Sequence, residues 1–200
     1  DLGSPKPSEF ESRRNITMKM FKRFAAALLA GVMVLAMLTA CGGNGGGGAP
    51  KSVEDQVADI YLSAMNAVLG TELSNDSTLA AKSKAALNSN MNDAGVITGK
   101  STIFSEPDSA GKVLVTMISD EGITSAQAQQ MISDPAAVEA YINQIKAGMK
   151  AELKGNYDIY VAMMKAAITG MGTGTVQKGG NYYVAVTVQV PKEVADGMRS

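Results

Sequence analysis

The chain contains no histidine and no tryptophan, a single cysteine, and only four phenylalanines and six tyrosines in 200 residues. Each shortage excludes something. Without imidazole there is no Ser-His or Cys-His dyad, no histidine general base and no His-ligated zinc site. One cysteine, Cys41, rules out an intramolecular disulfide and any multi-cysteine metal cluster. Aromatic residues at 5% leave the core to aliphatic side chains and to methionine, of which there are thirteen. A formal net charge of −1 does not suit a polycation, so no nucleic-acid partner is expected.

What is present is most distinctive near the start. Residues 1–17 (DLGSPKPSEFESRRNIT) are polar, carry two prolines and have no hydrophobic period. They read as an upstream extension foreign to the native protein. Lys19, Lys22 and Arg23 then precede fourteen uncharged, largely apolar residues, FAAALLAGVMVLAM at 24–37. That length fits the ~7–15 residues of an export signal and falls short of the ~20 needed for a permanent span. Leu38, Thr39, Ala40 and Cys41 follow, then a glycine run, GGNGGGGAP at 42–50. Such a run loses too much backbone entropy to fold and reads as a tether of ~15–18 Å mean span.

The order of basic residues, short apolar stretch and Leu-Thr-Ala-Cys resembles the signal peptide and lipobox of bacterial lipoproteins. The resemblance implies that residues 18–40 are removed by a dedicated peptidase that reads Leu38, Thr39 and Ala40. It implies that Cys41 carries diacylglycerol as a thioether, the one covalent group expected, with no other cofactor and no metal. Two acyl chains suffice for stable anchoring. The implied location is the outer face of the cytoplasmic membrane, with the membrane itself as the first partner.

Residues 51–200 are then one extracytoplasmic domain. From Cys41 onward the chain has twelve Lys and Arg against sixteen Asp and Glu, a mildly acidic balance that argues against docking on anionic lipid. Ser52 with Asp55 opens a helix whose apolar positions run from Val53 to Leu69 and which Gly70 stops. A weaker, alanine-rich helix starts at Asp76 or Ser77. Residues 102–104 and 112–118 read as strands, the second with Val113, Val115 and Met117 on one face. Thr124 with Gln127 opens a helix through Ile132, and Asp134-Pro135 restarts it as far as Leu153. Asn156 caps a further helix that Gly170 closes. Residues 171–190 form a hairpin about the turn cluster Lys178-Gly179-Gly180-Asn181, with Tyr182, Val184, Val186, Val188 and Val190 inward. The expected fold class is α+β, helices packed on a small antiparallel sheet in an α/β/α sandwich-like arrangement with a C-terminal hairpin.

Two stretches, 73–87 (LSNDSTLAAKSKAAL) and 168–190 (ITGMGTGTVQKGGNYYVAVTVQV), are similar to the second helix and closing hairpin of the CAP superfamily, the cysteine-rich secretory protein-like domains. Residues 134–145 match the place of that family's third helix, with Tyr141 where a tryptophan is usual. The family's two cleft histidines have no counterpart, so the resemblance implies a degenerate member without its metal site.

Candidate chemistry in the domain is sparse. Gly170, Gly172 and Gly174 follow a helix and open a strand, the reverse of a dinucleotide loop. Ser109 and Lys112 match Ser-x-x-Lys but sit in a turn. Asn90, Asn92 and Gly95 begin like a calcium loop and lack its distant glutamate. Asp93, Asp108, Asp120 and Glu121 lie in loops and serve a carboxylate-dependent envelope hydrolase only if two converge in a cleft. Tyr141, Tyr157, Tyr160, Tyr182 and Tyr183 are the candidate lining of a ligand cleft between sheet and helices. The expected function is non-catalytic binding of an apolar ligand or a protein partner. A His-free hydrolase, or an accessory subunit of a membrane complex, stands as the alternative.

Overall fold

The computed structural model describes residues 51–199. The extension at 1–17, the signal segment 18–40, Cys41 and the tether 42–50 lie outside the described residues.

Local chemistry accounts for most helix ends. Helix α1 (Val53–Leu69) starts where Ser52 Oγ accepts the Asp55 N–H at 3.1 Å, and it ends at Gly70, whose φ of +65° closes the last turn. Helix α2 (Ser77–Asn90) is capped by Asp76, which accepts from the N–H groups of Thr78 and Leu79. Strands β1 (Thr102–Phe104), β2 (Lys112–Ile118) and β3 (Ile123–Thr124) follow. Helix α3 (Ser125–Ser133) has the full reciprocal box between Thr124 and Gln127. Helix α4 (Pro135–Leu153) restarts with Pro135 in its first turn and the Asp134 carboxylate on the Ala137 N–H. Helix α5 (Tyr157–Ala167), strands β4 (Gly170–Lys178) and β5 (Asn181–Pro191), and helix α6 (Lys192–Arg199) complete the order.

The sheet is antiparallel. β5 lies between β2 and β4, and β1 pairs with the outer side of β2. β3 resumes pairing with β5 along the line of β2 after an interruption at 119–122, where the Ser119 N–H still donates to the Val184 carbonyl. The β4–β5 turn uses Gly179 and Gly180, both at positive φ, as a two-residue hairpin turn requires.

Both faces of the sheet are covered, so the α+β class and the three-layer arrangement hold. On one face Val113, Val115, Met171, Val184, Val186, Val188 and Val190 form the larger core with α1, α3, α4, α5 and α6. On the other face Ile118, Tyr183 and Ala185 meet Leu87 and Met91 of α2 and its C-cap. The 70–76 connection therefore passes around the outer edge of β4. There Asn75 pairs its side-chain amide with the backbone of Thr173 in both directions, and the Asp76 N–H donates to the Met171 carbonyl. Lys84 of α2 reaches Asp55 of α1 at 3.0 Å around the same edge. An open strand edge invites pairing with another chain, and these contacts block it.

Two expectations need correction, and one helix was not expected. Gly170 does not close α5, which ends at Ala167; it begins β4. Asn156 precedes α5 but makes no side-chain capping bond. After Pro191 the chain forms α6, whose Ala195 and Met198 are buried in the larger core.

Candidate binding site

The strand period decides the fate of the tyrosines. Successive residues of a strand face opposite sides, so Tyr182 and Tyr183 belong to different layers. Tyr182 joins Tyr141 and Tyr160 in the larger core, with Tyr157 packed against it; Tyr183 belongs to the smaller core under α2. Four of the five candidates thus share one face of the sheet, and the fifth lies behind it. Lys150 Nζ stands 5.3 Å from the centroid of the Tyr157 ring, a cation–π contact at the entry to α5.

A sixth tyrosine enters this group. Burial raises the Tyr61 hydroxyl well above its ordinary pKa, and the nearby Tyr141 and Glu121 raise it further. Tyr141 is pushed up to about 12, by burial first and then by Glu121. Burial also raises Tyr160 and, with Asp158, Tyr157. Phenols held this way are neutral at physiological pH. They can donate hydrogen bonds and present ring faces, but they supply no base and no phenolate nucleophile. Sequence reasoning placed Tyr61 on the apolar stripe of α1 and missed its neighbours, because α1, Glu121 and α4 meet only through the tertiary fold.

Tyr183 is held by two glycines. A Cβ on Gly122 would stand 2.7 Å from its ring and 2.8 Å from its hydroxyl, and one on Gly95 would overlap the hydroxyl outright. Gly95 has a φ of +80°, so its backbone also favours glycine. Gly122 has no such need, and the phenol beside it is what excludes a larger residue there.

The loop carboxylates fall at two ends of the sheet. Asp108 precedes β2, while Asp120 and Glu121 follow it, and seven strand residues span about 20 Å. That separation takes Asp108 out of the ~5–9.5 Å range of paired glycosidase carboxylates with Asp120 or Glu121. Asp108 accepts from the N–H groups of Ala110 and Lys112, which fixes the turn. Asp93 is fully exposed and pairs with Lys178 at 3.2 Å. The side-chain oxygens of Asn90 and Asn92 accept from backbone N–H groups of Lys100 and of Ala94 and Val96, so both serve their own loops. Among the described residues no three His, Cys, Asp or Glu come together as a metal site.

The Gly170-Gly172-Gly174 pattern has a packing explanation. All three residues face α2. A Cβ on Gly172 would lie 2.5 Å from the Leu79 carbonyl carbon and closer still to the Ala80 nitrogen. One on Gly174 would lie 2.8 Å from the Ala80 oxygen and the Lys84 nitrogen. The bare strand lets the helix backbone approach, which is why α2 carries Ala and Ser where other helices carry Leu. Ser83, fully buried, uses that closeness. Its hydroxyl donates to the Gly172 carbonyl at 3.0 Å and lies 2.7 Å from the Thr187 hydroxyl, which is 2.9 Å from that of Thr116. Because a carbonyl only accepts, the Ser83 proton is committed to Gly172; Thr187 then donates to Ser83, and Thr116 to Thr187. The relay holds α2, β4, β5 and β2 together and leaves no hydroxyl free to act as a nucleophile.

No protein-family model, no curated protein and no solved structure matches this chain.

Proposed function

We propose that this chain is an exported bacterial lipoprotein, anchored by diacylglycerol on Cys41, whose α/β/α domain works by binding and not by catalysis. One observation carries the reading. Basic residues, a short apolar stretch, Leu38-Thr39-Ala40-Cys41 and a glycine tether occur in that order, and the tether stops at a capped helix that opens a closed domain.

The domain's chemistry supports the second half of the reading. It has no imidazole and no thiol. Asp108 lies at the opposite end of the sheet from Asp120 and Glu121, burial holds Tyr61, Tyr141 and Tyr160 neutral, and the fully buried Ser83 is spent on a backbone carbonyl. Polar groups so committed can shape and hold a surface.

The anchor is tested by growing cells with a radiolabelled or alkyne-tagged fatty acid. The wild-type protein takes up label and the Cys41→Ser variant takes up none. A wild-type protein that stays unlabelled refutes the anchor.

A further inference from the structure

Among the described residues, the exposed large hydrophobic side chains are Val96, in the 92–97 turn, and Ile159, on α5. Ile159 has company. Ala162 and Ala166 are also exposed and Met163 is half-buried. Their spacing of three, four and seven from Ile159 puts all four on one side of the helix. The opposite side carries Tyr160 and Met164, both in the larger core. Helix α5 is therefore apolar on two sides, with Asp158 and Lys165 as its charged residues. A helix apolar all round is ordinarily covered all round. The methionines point the same way: of the nine in the described residues, eight are buried, and Met163 is the exception.

Charge marks the same corner. Lys150 reaches the Tyr157 ring, Lys154 caps the end of α4 just before α5, and Lys165 shares α5 with Asp158, while the remaining described residues carry nine basic and fifteen acidic side chains. The contact of Lys150 with the Tyr157 ring ties the lysines of α4 to the first turn of α5. The overall acidity of the domain, which argues against anionic lipid, conceals a local reversal.

We infer that the outer face of α5, with the lysines around it, docks on an anionic lipid surface. Ile159 and Met163 enter the headgroup boundary, and the ammonium groups meet lipid phosphates. The inference rests on the anchored reading, which brings the domain to a membrane, and the reach is sufficient. Helix α5 packs at the C-terminal end of α1, where Val161 lies 3.5 Å from a Cβ placed on Gly70. The seventeen residues of α1 separate that point from the tether by about 25 Å. Nine extended tether residues span about 30 Å, so the lipid on Cys41 can stay in the bilayer while α5 lies on its surface.

The test uses the full protein as purified from the cells that express it, mixed with phosphatidylcholine vesicles with or without phosphatidylglycerol. A thiol-reactive fluorophore is placed at Ile159→Cys or, for comparison, at Val96→Cys, and a quencher is carried on the lipid chains. With phosphatidylglycerol present, the label at 159 is quenched several-fold more than the label at 96. The difference vanishes near 1 M salt, where screening acts within about 3 Å, and vesicle affinity through this face drops about fivefold for each of Lys150→Gln and Lys154→Gln. Equal quenching at the two positions, on vesicles that carry the protein, overturns the docking and leaves the anchor standing. Self-quenching at 159 without lipid quenching overturns it in favour of a second copy of the chain. Flotation only with phosphatidylglycerol vesicles, with 159 quenched, keeps the docking and refutes the anchor. Flotation with neither vesicle refutes both.

Discussion

Replacing Gly172 by alanine puts a methyl group where the structure has the backbone of α2. The added carbon would meet the Leu79 carbonyl carbon and Leu79 Cβ at 2.5 Å, and the Ala80 nitrogen more closely. Ordinary contact needs about 3.5–4.0 Å, so α2 must retreat by roughly 1 Å. The neighbours are main chain and cannot rotate aside. Overpacking of this kind costs about 1–3 kcal/mol. The retreat also stretches the Ser83–Gly172 hydrogen bond, a further ~0.5–1.5 kcal/mol. A total of about 2–4 kcal/mol is a large part of the ~5–15 kcal/mol that a domain has. At about 2–4 °C per kcal/mol for a chain of this size, Tm falls by roughly 4–16 °C. Thermal and urea unfolding followed by circular dichroism measure it. Gly148→Ala provides the control: it lies within α4, nothing stands within 4 Å of its added carbon, and alanine is the better helix former. That variant should gain about 0.4–1 kcal/mol. Equal, near-zero effects of the two substitutions would refute the close approach of α2 to β4 and the explanation of the glycine pattern with it.

Ser83→Ala removes the middle of the buried hydroxyl relay and strands the Thr187 proton, so a loss of about 1–3 kcal/mol is expected in the same unfolding assays. Gly122→Ala should destabilise through Tyr183 and Asn181, and pairing it with Tyr183→Ala should relieve part of the loss in a double-mutant cycle. The buried phenols predict alkaline sensitivity. Tyr61, Tyr141 and Tyr160 have folded pKa values above the ordinary value of 10, so their contribution to stability is complete below pH 10 and is lost as pH rises through the folded values, about 12 for Tyr141. In an ultraviolet titration, Tyr61, Tyr141 and Tyr160 should therefore ionise only well above pH 10, with unfolding. Full ionisation of all six near pH 10 with the fold intact would contradict the burial.

The elements legible in the sequence are those with local causes. Ser52, Asp76, the Thr124–Gln127 box and Asp134-Pro135 each mark a helix start by side-chain chemistry that acts within three residues. Gly179-Gly180 marks a hairpin because the turn demands positive φ twice. What escaped depends on distant partners. Helix α6 is short, contains Gly197, and is held by burying Ala195 and Met198 in a core assembled from the rest of the chain. β3 has two residues and exists only through β5. Gly170 looked like a helix stop because glycine commonly is one; its actual neighbour is the Leu79 side chain, ninety-one residues earlier. The tyrosine group was legible in part: alternation along β5 already divides Tyr182 from Tyr183, but no local pattern announces the meeting of Tyr61, Tyr141 and Glu121.

The central claim is the anchor at Cys41, since it determines where the domain works and what its α5 face can meet. The most direct measurement is the mass of the N-terminal peptide of the protein recovered from the membrane fraction. The account predicts a peptide that begins at Cys41 and carries diacylglycerol on its sulfur, with residues 18–40 gone. A peptide that retains those residues, or that begins elsewhere with Cys41 as a free thiol, would contradict it.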